Sequence, residues 1–115
     1  MAIQESIQLG IYALVWSYVM DYENHKNPFP ERREQIGKWR TRAVEDIEED
    51  GALLASAEII GQTGIKKMDS LHIACAVKAN AEYFLTTDDW ILRRANLIAN
   101  IRITDPIGFI KEVSP

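Results

Sequence analysis

A chain of 115 residues that is 47% hydrophobic and 26% charged has the size and make-up of a single globular domain, which excludes the disordered and fibrous classes. Its net charge of -4 excludes a protein that coats nucleic acid by charge alone, but leaves room for an enzyme that meets phosphates through a bound cation. The single cysteine, Cys75, excludes an internal disulfide framework and reads as a small core residue. No apolar run nears the ~18 residues of a membrane span, and the start lacks a signal peptide's basic and small-residue pattern, so a cytoplasmic protein without a membrane partner is expected.

Ile3 and Ile7 give residues 1–9 a helical spacing, and Gly10 is a suitable stop. Residues 11–16 form a nearly continuous apolar run, the pattern of a strand covered on both faces. Ser17 is placed to cap a helix running to about His25, which Asn27-Pro28 ends. Pro30 fits the first position of a helix over residues 31–41. Arg32, Arg33, Lys38, Arg40 and Arg42 cluster there and read as a solvated helix face.

A short, half-acidic strand is predicted over residues 43–47. The helix over residues 51–62 would bury Leu53, Leu54, Ala57 and Ile60, with Gly64 closing it. Residues 68–79 form the next helix, expected to bury Leu71, Ala74, Cys75 and Val77, and Asn80 suits a left-handed cap. A strand over 83–86 leads into a turn at Thr87-Asp88-Asp89 and a short helix over 90–95. The last strand spans 101–104, and Asp105-Pro106 opens a final helix over 107–112. Strands alternating with crossover-length helices predict an α/β fold, a four-stranded parallel sheet with helices on both faces.

In such folds function sits beyond the carboxyl ends of the strands. Asp88 follows a predicted strand almost at once, Asp69 opens a helix that feeds that strand, and Glu23 lies on the helix leaving the first strand. Two or three carboxylates with waters suit the oxygen-rich octahedral shell of Mg²⁺ or Mn²⁺. Each acid also has an ordinary use. Asp69 complements a helix dipole, Asp88 or Asp89 is a natural N-cap, and Glu23 suits a solvated helix.

The wording around these acids resembles the PIN domain, the nuclease fold of VapC-type toxins. Met68-Asp69-Ser70-Leu71-His72-Ile73-Ala74 is similar to that family's Asp-Ala-Leu-His-Leu-Ala helix start, and Phe84-Leu85-Thr86-Thr87-Asp88-Asp89 to its strand ending in Thr-x-Asp. Ile103-Thr104-Asp105-Pro106-Ile107-Gly108-Phe109-Ile110 resembles the closing strand, proline and short helix. Leu14-Val15-Trp16-Ser17, Glu23, and Asn27-Pro28-Phe29-Pro30-Glu31-Arg32-Arg33-Glu34 resemble one PIN subgroup. Four such phrases in order span nearly the whole chain.

The resemblance implies a single PIN-like domain over residues 1–115, a Mg²⁺- or Mn²⁺-dependent endoribonuclease of a toxin–antitoxin pair, with RNA as substrate and an antitoxin protein as partner. It implies catalytic and metal-binding roles for Glu23, Asp69 and Asp88, with Asp89 as a neighbour at the metal and Ser17, Thr86 and Thr87 on the substrate side. The family's opening strand and its Asp have no counterpart here, so weak metal binding and impaired cleavage are expected. The alternative is a catalytically inactive remnant that serves as a binding or oligomerisation module. Without that strand, the sheet is expected to close up in the order 43–47, 11–16, 83–86, 101–104, with a homodimer covering the apolar surface left behind.

Overall fold

A computed structural model describes residues 2–114, so the Met1 end of the first predicted helix lies outside the described residues. The chain forms two compact units, Met1–Glu49 and Asp50–Pro115.

The first unit contains α1 (Ile3–Gln8), β1 (Leu14–Ser17), α2 (Tyr18–His25), α3 (Pro30–Arg40) and β2 (Ala43–Ile47). β1 and β2 pair in parallel, with Val15 opposite Glu45 and Ser17 opposite Ile47, and α2 and α3 make the crossover between them. The first strand begins at Leu14 rather than at Ile11. Gly10 takes a φ of 77°, and the N–H groups of Ile11 and Tyr12 both donate to the carbonyl of Ser6, at 2.8 and 3.3 Å. Those two residues serve the end of α1 instead of a ladder.

Ser17 ends β1 and caps α2, its Oγ accepting from the Met20 N–H at 3.4 Å. Trp16 is buried, and its indole N–H donates to Asp21 at 2.9 Å. Arg40 ties the last turn of α3 to β2, donating from Nε to Asp46 at 3.0 Å and pairing with Asp21 at 3.7 Å. No residue of α3 is fully buried, so tertiary packing leaves most of its surface to solvent.

The second unit contains α4 (Gly51–Gly61), α5 (Lys67–Lys78), β3 (Tyr83–Leu85), α6 (Asp89–Leu92), a 3-10 turn at Ala95–Leu97, β4 (Arg102–Thr104) and α7 (Pro106–Val113). Its core joins Leu53, Ala57 and Ile60 of α4 to Ile73, Ala74 and Cys75 of α5, with Ile91, Ile101, Ile103 and Phe109 from the remaining elements. Leu54 stands out of this core at 44% exposure, and Leu71 and Val77 are half-buried. The buried stripe of α4 runs through positions 53, 57 and 60, and a residue one step off that stripe turns about 100° away. On α5 the same phase favours Ile73, which sequence periodicity had passed over.

β3 and β4 pair in parallel, with Tyr83, Phe84 and Leu85 opposite Arg102, Ile103 and Thr104. The four expected strands are therefore present, and both outer pairings follow the expected order. They make two two-stranded parallel sheets, however, and not one closed four-stranded sheet. Each strand pairs with its neighbour in sequence, and β3 and β4 have only three residues each. Strands so short offer little ladder for a further partner. Among the described residues no helix is long and apolar enough to cross a membrane.

Asp50 starts the second unit by capping α4, accepting from the Leu53 N–H at 2.8 Å, and its other oxygen pairs with Lys78 of α5. Lys78 first, and then the Leu53 N–H, hold the Asp50 carboxyl below its ordinary 3.8. A depressed folded pKa favours folding above the unfolded value and loses that effect as pH falls through the folded value. The Asp50→Ala variant is thus expected to melt below the parent at pH 7, and the gap should shrink as pH falls below about 4. A gap that stays constant from pH 7 to pH 2 would show that the carboxylate's charge contributes nothing.

Candidate functional site

The carboxyl edge of the β3–β4 sheet is followed in the chain by Asp88 and Asp89 after β3 and by Asp105 after β4. Beyond Leu85 the chain continues through Thr86, Thr87, Asp88 and Asp89. The Thr86 N–H donates to the carbonyl of Thr104 at 3.0 Å, extending the parallel register by one bond. The Thr86 hydroxyl oxygen accepts from the Asp88 N–H at 3.1 Å, which turns Asp88 back beside the strand end. Asp88 then caps α6 through Oδ1, accepting from the N–H groups of Trp90 at 2.8 Å and Ile91 at 3.3 Å. Asp88 and Asp89 are exposed, with Asp89 in the first turn of α6.

β4 leaves the sheet in the same way. Thr104 ends the strand, and Asp105 caps α7 by accepting from the Gly108 N–H at 2.6 Å. A side chain at Gly108 would place its Cβ 2.3 Å from the Thr104 hydroxyl oxygen and 3.0 Å from Asp105 Oδ1, so only glycine lets this turn close. Asp105 thus joins the same edge, although sequence reasoning treated it only as a helix opener. The repeated Thr and Asp at both strand exits was the available signal.

Asp69 belongs to the helix that precedes β3. α5 hands the chain to β3 through Asn80, whose φ of 55° is the left-handed turn expected of it. The C-terminus of α5 therefore leads into the start of β3, and half-buried Asp69 is in the first turn, at the other end of that helix. The opposite edge is occupied by structural contacts. Glu112 beside the Tyr83 hydroxyl pushes the phenol's pKa up, and it accepts from Arg102 at 3.3 Å. The Tyr83 and Phe109 rings meet edge to face at 4.7 Å.

The remaining candidates belong to the first unit. Ser17 is buried at 2% exposure and occupied as a cap. Glu23 is exposed on α2 and lines an open cleft of about 520 Å³ with Trp16, Met20, Asn24, Asn27 and Ile36. Asn24 donates to the Arg33 carbonyl at 3.0 Å, and its Oδ1 is buried without a partner among the described residues.

Glu23 thus stands in one unit, and Asp69, Asp88 and Asp89 in the other. Among the described residues there is no group of three or more His, Cys, Asp or Glu side chains placed to hold a metal ion. No family model matches the chain, and no curated protein or solved structure was found similar to it.

Proposed function

We propose that this chain is a PIN-like, cytoplasmic ribonuclease domain of the toxin–antitoxin kind, which holds Mg²⁺ or Mn²⁺ at the carboxyl edge of its β3–β4 sheet and hydrolyses RNA. The observation that carries this reading is the pair of parallel strand exits, each leaving Thr and Asp at one edge, with Asp69 in the first turn of the helix that leads into β3. The donors there are carboxylates and hydroxyls, the all-oxygen set that suits a hard divalent cation. When bound, such a cation lowers the pKa of a water and steadies a phosphodiester under in-line attack.

The chain's own residues have distinct parts in this reading. Asp69 and Asp88 are the carboxylates that would hold the cation, and Asp89 adds charge beside them. Capping engages Asp88 through Oδ1, and neither cap bond uses Oδ2. Thr86 accepts from Asp88 through its oxygen and retains its own proton for donation to a phosphate oxygen or a water. Glu23 matches the second acid of the family that the PIN resemblance implies, with an antitoxin protein and a second copy of the chain as partners.

A second reading, a catalytically inactive PIN-like module for binding or oligomerisation, is favoured by the capping role of Asp88, which explains that residue without a metal. Cleavage of a labelled single-stranded RNA separates the two. Mn²⁺-dependent cleavage is expected, abolished by EDTA and lowered at least about 100-fold in Asp69→Asn, since even the loss of a group that only supports a metal ligand costs up to about that much. Glu23→Gln in the same assay measures whether the first unit contributes. Absence of any Mn²⁺-dependent cleavage would support the inactive module.

A further inference from the structure

The turn that joins α4 to α5 is gripped by two side chains that follow β3 in the chain. The indole N–H of Trp90, in α6, donates to the Gly64 carbonyl at 2.7 Å, and Arg94 Nε donates to the Thr63 carbonyl at 3.2 Å. Arg94 also donates from Nη1 to the Trp90 carbonyl at 3.0 Å, and its guanidinium carbon lies 3.6 Å from the centre of the Trp90 ring. Each residue thus holds the other while both hold the turn. Little of this grip is apolar burial. Trp90 is 45% exposed and Arg94 half-buried, so hydrogen bonds and the stacked cation carry it. Gly64 fits the grip, because its φ of 98° is a conformation that side chains resist, and a Cβ there would stand 3.0 Å from Arg94 Nε.

Both ends of the clamp lie close in the chain to a residue of the proposed site. Asp88 precedes Trp90 by two residues, and its Oδ1 accepts from the Trp90 N–H at 2.8 Å. On the other side, the carbonyl of Ile65, next after Gly64, accepts from the buried Ser70 hydroxyl at 3.2 Å, and Ser70 adjoins Asp69. A path of bonds therefore runs from Asp88 through Trp90, Gly64 and Ser70 to Asp69. It crosses 26 positions of sequence at the single bond between Trp90 and Gly64.

We propose that Trp90 and Arg94 are positioning residues, which clamp the Thr63–Gly64 turn and thereby fix the segments carrying Asp69 and Asp88 relative to each other. What this does for cleavage rests on the nuclease reading above, whereas the clamp itself needs neither metal nor RNA. A clamp serving α6 alone would leave the first turn of α5 as it was, and that difference can be measured.

The test is amide hydrogen exchange by NMR on the full chain in EDTA, for the parent, Trp90→Phe and Arg94→Lys. Phenylalanine keeps a ring for the guanidinium and removes the indole N–H, and lysine keeps the charge and gives up the fork of donors. The reporting amides are Ser70, bonded to the Lys66 carbonyl at 2.8 Å, and Ile91, bonded to Asp88 at 3.3 Å. In either variant both should exchange about fivefold faster, the equivalent of one lost hydrogen bond, while Ala74 and Cys75 within α5 keep the parent's rates.

The inference is overturned if either reporting amide speeds up without the other or if neither changes. It is equally overturned if Ala74 and Cys75 speed up as much, which would mark a general loss of stability. Should Trp90→Phe fail to fold, Arg94→Lys decides by the same amides. Under the nuclease reading, the Mn²⁺ concentration for half-maximal RNA cleavage should rise about tenfold in Trp90→Phe. An unchanged Mn²⁺ requirement in an active enzyme would overturn the clamp's part in the site. A parent that cleaves no RNA but shows the coupled exchange would leave the clamp standing and remove the nuclease reading alone.

Discussion

Truncating Ile73 to alanine is expected to destabilise the chain by about 2–5 kcal/mol, the cost of deleting a buried branched side chain and leaving a cavity. Ile73 is 0% exposed, and it sits on α5 beside buried Ala74 and Cys75. α5 packs against α4, whose buried stripe is Leu53, Ala57 and Ile60. Interior packing of this kind relaxes only in part around a lost group, so the removed contacts are not regained.

For a chain of this size each kcal/mol moves the melting midpoint by roughly 4–8 °C, which makes the effect easy to read in thermal or urea unfolding. Leu54→Ala is the matched control. Leu54 is one residue off the buried stripe and 44% exposed, so its truncation should cost no more than roughly 0.5 kcal/mol. Equal costs at the two positions would mean that the core of the second unit is not built around α5 as described. The result bears on the proposed site as well, because α5 carries Asp69 in its first turn.

The features visible in the sequence are those decided by residues close in the chain. Ser17 and Asp88 act as N-caps, Asn80 and Gly64 take the left-handed conformation, and Pro106 opens α7, all through bonds spanning a few residues. The strand exits were legible for the same reason, since Asp88 follows β3 directly whatever the rest of the chain does. Two errors were also local but finer than pattern reading. Ser6 captures the N–H groups of Ile11 and Tyr12 and so delays β1, and a phase error of one residue put Leu54 in the core.

Sheet continuity belongs to another class. Whether short parallel strands merge into one sheet depends on contacts between distant segments, on which apolar runs are silent. Ion pairs across the chain were equally hidden. Asp50 and Lys78 lie 28 residues apart, and neither has a neighbour that announces the other. The proposed metal site combines both kinds of information. Its individual acids and their strand-exit positions are local facts, while their joint service to one cation is a long-range property.

Asp88 allows that joint service to be measured apart from folding. Asparagine caps a helix about as well as aspartate, so Asp88→Asn should retain the bonds to Trp90 and Ile91 and melt like the parent, whereas Asp88→Ala should melt lower. A Mg²⁺ or Mn²⁺ ion distinguishes the parent from Asp88→Asn sharply, because it needs the carboxylate's charge. The decisive experiment is a Mn²⁺ titration followed by paramagnetic broadening of backbone amide signals in the parent and in Asp88→Asn. Broadening centred on residues 69–70, 86–89 and 104–105 in the parent, and lost from them in a fully folded Asp88→Asn, is the expected result. Broadening that persists unchanged in Asp88→Asn, or that centres away from both strand exits, would contradict the assignment of this edge as the metal site.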